Sequence, residues 1–186
     1  MPSFTKKAIV ESFLRLVGKK PVDKITVRDV VDDCGINRNT FYYYFQDIYA
    51  VLEELCQALT EQLPTEAPLA ETLVAFYDLL CRFYLDHPRT SRSLLVSMGQ
   101  DGLDRYFAAE LDRVILSCLR RETANAALDP EYLQHCTVFL RHALFGYCLN
   151  TLRADKSEPL ERAGRDLFRM LTGLAQKLIG EDSGKT

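Results

Sequence analysis

Apolar residues recur at spacings of three and four along nearly the whole chain, and no segment sustains an alternation of period two, so the sequence predicts an all-α protein. The breaks in this rhythm fall at residues that end or start helices. Gly18 and Pro21 close the first helix, Gly35 interrupts the next pair, and Pro64 with Pro68 separates a small N-terminal head from a larger body. Pro88 ends a long helix at His87, and Gly99 with Gly102 predicts a loop. Asp129-Pro130 and Ser157-Glu158-Pro159 each read as a cap followed by proline at the first helical position. The expected helices are about nine, near 5–18, 27–34, 38–44, 48–63, 69–87, 89–97, 103–123, 131–154 and 160–179.

Two of them lack a polar face. Leu73, Phe76, Leu80 and Phe83 form one stripe of the helix over 69–87, and Tyr77, Cys81 and Tyr84 form another, which places that helix inside a core. The segment 131–153 is apolar nearly all round, and the last helix adds Leu167, Met170, Leu171, Leu174 and Leu178. A homodimer through these two C-terminal helices would bury both surpluses. The expected organisation is a small helical head over 1–46, a connecting helix over 47–66 and a larger helical body over 67–186.

The net charge of −3 argues against a polyanion partner until it is divided along the chain. Residues 1–46 carry eight basic against five acidic side chains, a net +3, whereas the remainder carries fifteen against twenty-one, a net −6. A small basic head that meets nucleic acid on an acidic body that does not is the reading this asymmetry supports. Six scattered cysteines without a C-x-x-C pair suggest neither a zinc site nor a disulfide framework and fit a reducing cytoplasm. The most hydrophobic run, Leu73–Leu85, is interrupted by Asp78 and Arg82, so no membrane span is expected.

The chemistry lies between Thr26 and Phe45. Thr26-Val27-Arg28-Asp29 reads as a capping box that starts a short helix, Gly35 supplies a turn, and Asn37 caps a second short helix. That is the pattern of a helix-turn-helix. On a wheel at about 100° per residue, Phe41, Tyr44 and Phe45 share one arc, Asn39, Thr40, Tyr42 and Tyr43 lie opposite or beside it, and Arg38 is at the border. The outward set suits a major groove, because Arg can fork onto guanine, Asn onto adenine, and hydroxyls can bond phosphate oxygens.

The run Ile25-Thr26-Val27-Arg28-Asp29-Val30, followed by Cys34-Gly35-Ile36-Asn37-Arg38-Asn39-Thr40-Phe41-Tyr42-Tyr43-Tyr44-Phe45, resembles the N-terminal domain of the tetracycline-repressor (TetR) family. The resemblance implies a helical head on a ligand-binding and dimerising body, with two heads reading a palindromic operator in double-stranded DNA. By position it implies phosphate contacts from Thr26, Thr40, Tyr43 and Tyr44 and base reading by Arg28, Arg38, Asn39 and Tyr42. For Tyr44 the wheel and the resemblance disagree, one pointing it to the core and the other to the backbone of DNA. Gln46-Asp47-Ile48 departs from the lysine that many members carry just after the recognition helix. The Phe-Gln-Asp-Ile-Tyr end and the Leu-Phe-Gly-Tyr segment at 144–147 look like the branch that includes activators of dihydroxyacetone-kinase operons.

The expected function is a sequence-specific repressor gated by a small-molecule effector. The alternatives are the same architecture acting as an activator, or answering to a protein partner. Tyr77, Cys81, Tyr84, Tyr106 and His142 are the candidates for lining an effector pocket, with plain core packing as the competing reading. His135 and His142 share a helix face without a carboxylate at a suitable spacing, so no metal site is predicted. No Ser-His-acid set, phosphate loop or carboxylate pair is evident, and neither enzymatic activity nor a cofactor is expected.

Overall fold

The computed structural model describes residues 4–124, 128–153 and 160–180. Among these the chain is all-α and has no strand. Its helices are α1 (Phe4–Val17), α2 (Val27–Cys34), α3 (Arg38–Tyr44), α4 (Ile48–Thr60), α5 (Leu69–Asp86), α6 (Pro88–Glu122), α7 (Pro130–Arg153) and α8 (Leu160–Gly180), and a 3-10 turn spans Val22–Lys24.

The loop expected at Gly99 and Gly102 does not form, because α6 runs unbroken through both positions. An isolated glycine costs a helix only about 1 kcal/mol, and the buried stripe Leu103, Phe107, Leu111, Val114 and Cys118 outweighs that. A Cβ at Gly102 would lie 3.0 Å from the Cβ of Met98, so a larger residue fits there only if Met98 gives by a few tenths of an ångström. The expected caps are present at Asp129-Pro130, where the Asp129 carboxylate accepts the Glu131 N–H at 3.2 Å and Pro130 is the first helical residue. The cap expected at Ser157-Glu158-Pro159 lies outside the described residues.

The chain divides into two compact units. The first comprises the chain up to Glu61 together with Phe83–Phe107. Ile9, Phe13 and Val17 of α1, Val30 of α2, Phe41 of α3 and Val51 of α4 are buried without measurable exposure, so one shared core holds the first four helices. Ser12, also fully buried, donates from its hydroxyl to Asp33 at 2.7 Å, and the Thr90 hydroxyl of α6 donates to the Leu14 carbonyl at 3.2 Å. Burial pushes the Cys56 thiol up to about 12, leaving it an inert hydrophobe.

The second unit comprises Gln62–Arg82 and the chain from Ala108 onward. Leu73, Phe76 and Tyr77 of α5 pack with Leu111 and Ile115 of α6, Leu144, Phe145 and Cys148 of α7, and Leu167 of α8 in its core. Phe76 and Phe145 lie 6.5 Å apart, Tyr77 and Tyr147 6.1 Å, and the Tyr147 hydroxyl donates to the Ala163 carbonyl at 2.9 Å, tying α7 to α8. Arg141, nearly buried, is neutralised by Asp112 at 2.7 Å. Arg121 donates to the carbonyls of Thr65 and Ala67, and Glu122 accepts the Leu69 N–H, so polar groups fasten the segment leading into α5.

The apolar surplus on α7 and α8 is divided. Leu144 is 1 % exposed and belongs to the core of the unit, whereas Phe139 is 64 % exposed, with Tyr132, Phe168 and Met170 also facing outward. The side chains of Leu174 and Leu178, expected to extend this face, lie outside the described residues. Among the described residues no helix is long and apolar enough to cross a membrane.

Candidate nucleic-acid interface

The helix-turn-helix is built by local chemistry. Thr26 is the N-cap of α2: its hydroxyl accepts the Asp29 N–H at 3.2 Å while the Asp29 carboxylate accepts the Thr26 N–H at 2.7 Å, a reciprocal capping box. Gly35 ends α2 with φ of 70°, a left-handed conformation that glycine adopts without penalty. Asn37 then caps α3, its side-chain oxygen accepting the Thr40 N–H at 2.8 Å. Phe41 and Phe45 fasten α3 to the core, 5.9 Å apart and at most 4 % exposed.

With that face anchored, the opposite one is presented to solvent. Arg38, Asn39, Tyr42 and Tyr43 are exposed, Tyr43 most of all at 81 %. Tyr44 is half-buried, between the core position the wheel gives it and a fully exposed one, and its ring lies edge-on to Tyr43 at 4.9 Å. Thr40 is half-buried and Thr26 exposed, and both hydroxyl protons are already committed, to Asn37 at 3.1 Å and to Asp29 at 2.7 Å. Arg28 is exposed on α2 beside Asp32 at 3.5 Å.

Most cations of the head have carboxylate partners. Lys6 pairs with Glu54 at 2.6 Å and lies 5.9 Å from the Phe45 ring, so it braces α1 against α4. Arg15 pairs with Asp33 and Lys20 with Asp29, each at 2.7 Å, and Lys7 and Lys24 make looser contacts with Glu11 and Asp23. Among the described residues Arg38 has no ion-pair partner, which leaves the one guanidinium on α3 available to an incoming ligand.

Lys20, followed by the hydroxyl and N–H of Thr26, holds the Asp29 carboxyl well below the usual carboxylate range. A carboxyl with a depressed folded-state pKa contributes stability above its unfolded value of 3.8, and that contribution is lost as pH falls further. Asp29→Ala is therefore expected to cost about 1 kcal/mol at pH 7. The difference from the parent protein should narrow below pH 4, as read by urea unfolding. A gap that stays constant down to pH 3 would show that the charge of Asp29 is immaterial.

Asp47 was legible only as a departure from a lysine, yet it has a structural role: its carboxylate accepts the Ala50 N–H at 2.8 Å and caps α4 immediately after the recognition helix. Of the five candidates for an effector pocket, Tyr77, Cys81 and His142 belong to the second unit and Tyr84 and Tyr106 to the first. Tyr77 and Cys81 are buried in the second unit, where burial above all raises the Tyr77 phenol. His142 is exposed, its Nδ1 2.8 Å from the Val138 carbonyl oxygen. Tyr84 and Tyr106 are half-buried in the first unit.

A capped helix, a left-handed glycine and a second capped helix that turns tyrosines, an asparagine and a free arginine outward define a helix-turn-helix DNA-binding transcriptional regulator. The family described as "Bacterial regulatory proteins, tetR family" matches residues 9–55, which span α1 to α4. That match covers about a quarter of the chain and identifies its helix-turn-helix head as one of that family's kind. Comparison with curated proteins returns no match. Among solved structures, the dihydroxyacetone kinase operon activator DhaS is similar with a TM-score of 0.66 at 16 % identity, over 93 % of this chain and 97 % of that one. A TetR regulator from Streptococcus agalactiae 2603V is similar with a TM-score of 0.61 at 24 % identity, over 90 % and 93 %. One from Rhodococcus sp. RHA1 gives 0.61 at 15 % identity, over 96 % and 99 %. At these identities the likeness is one of fold.

Proposed function

We propose that the protein is a homodimeric repressor that reads a palindromic operator and is released by a small-molecule effector. The observation that carries this reading is the outward face of α3, four exposed groove-compatible side chains on a helix fixed from behind by Phe41. Arg38, Asn39 and Tyr42 read base edges, joined by Arg28 from α2. Tyr43 and Tyr44 bond phosphates through their hydroxyls. Thr26 and Thr40 do so by exchanging one intramolecular hydrogen bond each for a phosphate oxygen.

Dimerisation is supported by the exposed aromatic and thioether groups of α7 and α8, since Phe139, Phe168 and Met170 would each lose a large apolar area from water in a symmetric pair. Phe139→Asp is expected to shift the protein to monomer in sedimentation velocity while leaving its helicity intact. An unchanged sedimentation coefficient would place the interface elsewhere. Effector gating is supported by an open cleft of about 780 Å³ in the second unit, with Asp78, Arg165 and Phe168 among its walls, large enough for a small organic molecule.

The test is selection of bound duplexes from a random pool, followed by a reporter carrying the recovered sequence. A palindrome with half-sites about one helical turn apart and a falling reporter signal are expected. A non-palindromic site would remove the paired heads, and a rising signal would make the protein an activator. Binding should weaken with salt with a slope near −5 on logarithmic axes, as for about six neutralised phosphates. Asp32→Asn, which releases Arg28, should tighten binding about twofold to fivefold on any duplex. A flat salt response, or weaker binding by Asp32→Asn, would contradict the electrostatic footprint.

A further inference from the structure

A second cleft, of about 470 Å³, lies wholly within the first unit, between the 3-10 turn, the start of α4 and the middle of α6. Val22 and Met98 give it an apolar floor, Tyr49 and Tyr106 supply aromatic faces, and Asp23 and Arg105 reach its wall. Tyr49 is 46 % exposed, so its ring is accessible to a molecule entering the cleft.

The electrostatics of this cleft are one-sided. Burial first, then Tyr49, Glu53 and Asp47, raise the Tyr106 phenol, and Arg105 opposes them more weakly. Asp23 and Arg105 are the charged residues of the lining, and Asp47 and Glu53 add negative charge close enough to act on the Tyr106 phenol. Lys24 offsets Asp23 only through a solvent-exposed pair at 3.5 Å. Aromatic faces with an excess of negative charge favour a cation that has an apolar body, since the ring quadrupole and the carboxylates attract the same charge. An anion of the same shape would meet this excess of negative charge with a single guanidinium in the lining to offset it.

We propose that this cleft is a binding site for a lipophilic organic cation, held between the rings of Tyr49 and Tyr106 with Glu53 as the nearby counter-charge. The proposal deepens the effector-gated reading by naming a site and a ligand class, and it rests on that reading only for its consequence. The position explains the consequence. The turn that contributes Val22 and Asp23 ends two residues before the Thr26 cap, and Tyr49 follows the α3 recognition helix by five residues. A ligand here touches both chain segments that enter and leave the helix-turn-helix, so its binding free energy couples to the geometry that DNA selects.

The test uses tetraphenylphosphonium and tetraphenylborate, a cation and an anion of the same shape, titrated into the full-length protein without DNA. The chain has no tryptophan, so tyrosine emission and calorimetry are the readouts. Saturable binding of one phosphonium per chain is expected, with the borate at least tenfold weaker. Tyr49→Ala should weaken the phosphonium about tenfold and Glu53→Gln threefold or more, whereas Asp78→Asn, in the cleft of the second unit, should leave it unchanged. No binding, equal binding of both ions, wild-type affinity in both first-unit variants, or loss in Asp78→Asn would each overturn the site. Repeating the titration with the selected operator separates the two claims: bound phosphonium with unaltered DNA affinity keeps the site and refutes gating through it.

Discussion

Phe41→Ala is expected to abolish operator binding by unfolding the head rather than by removing a DNA contact. The ring has no measurable exposure and packs on Phe45 and edge-on against Tyr42 at 5.6 Å. Truncating a buried phenylalanine costs about 3–5 kcal/mol, because transfer free energy is lost and a cavity is left. A natural domain has only about 5–15 kcal/mol in total, and α3 has seven residues, too few to persist once detached from its core. The expected result is a large loss of midpoint in thermal or urea unfolding, with no detectable binding to cognate or scrambled duplex. Phe41→Leu, which fills most of the same space, should retain both fold and binding in weakened form. An alanine variant that melts like the parent would show that α3 is held from elsewhere and would undermine the division into an anchored and a presented face.

The parts of this site that were legible in the sequence are those decided within a few residues. Thr26 with Asp29, Gly35 and Asn37 act over three positions or fewer, and the structure has each of them in the expected role. The Asp129-Pro130 start of α7 is of the same kind. The hidden features depend on partners distant in the chain. Nothing adjacent to Lys6 announces Glu54, nor does anything near Arg15 announce Asp33, so the formal charge of the head overstates the charge it can offer to DNA. Gly99 and Gly102 read as a loop because glycine is a poor helix former, and tertiary burial of the stripe beginning at Leu103 overrode that preference. Leu144 and Phe139 are both apolar residues of one helix, yet one fills a core and the other faces outward, a distinction that only the packed neighbours make. The clefts were illegible for the same reason, since Val22, Tyr49 and Tyr106 come together from three separate elements.

Arg38→Ala and Tyr43→Phe are expected to fail in different ways. Arg38 is the first residue of α3, is exposed, and has no ion-pair partner among the described residues, so its guanidinium can fork onto a base edge without first breaking a salt bridge. Its loss should cost about 1–3 kcal/mol on the selected operator, roughly 5-fold to 150-fold in affinity, and relax preference at one position in each half-site. Tyr43 is 81 % exposed, and its ring leans on Tyr44 rather than on the core. Removing only its hydroxyl oxygen leaves that ring contact in place and takes away one donor to a phosphate. Tyr43→Phe should therefore weaken selected and scrambled duplexes by a similar factor, leaving the preferred sequence unchanged. Neither variant should lower the unfolding midpoint appreciably, because neither side chain contributes to the core around Phe41. Each variant is titrated against both duplexes at one fixed salt concentration, since an electrostatic contact is only comparable at constant ionic strength. Equal losses on the two duplexes for Arg38→Ala would remove it from base reading and make it a phosphate anchor. A change of preferred sequence in Tyr43→Phe would mean that its hydroxyl meets a base, and the two roles would have to be exchanged.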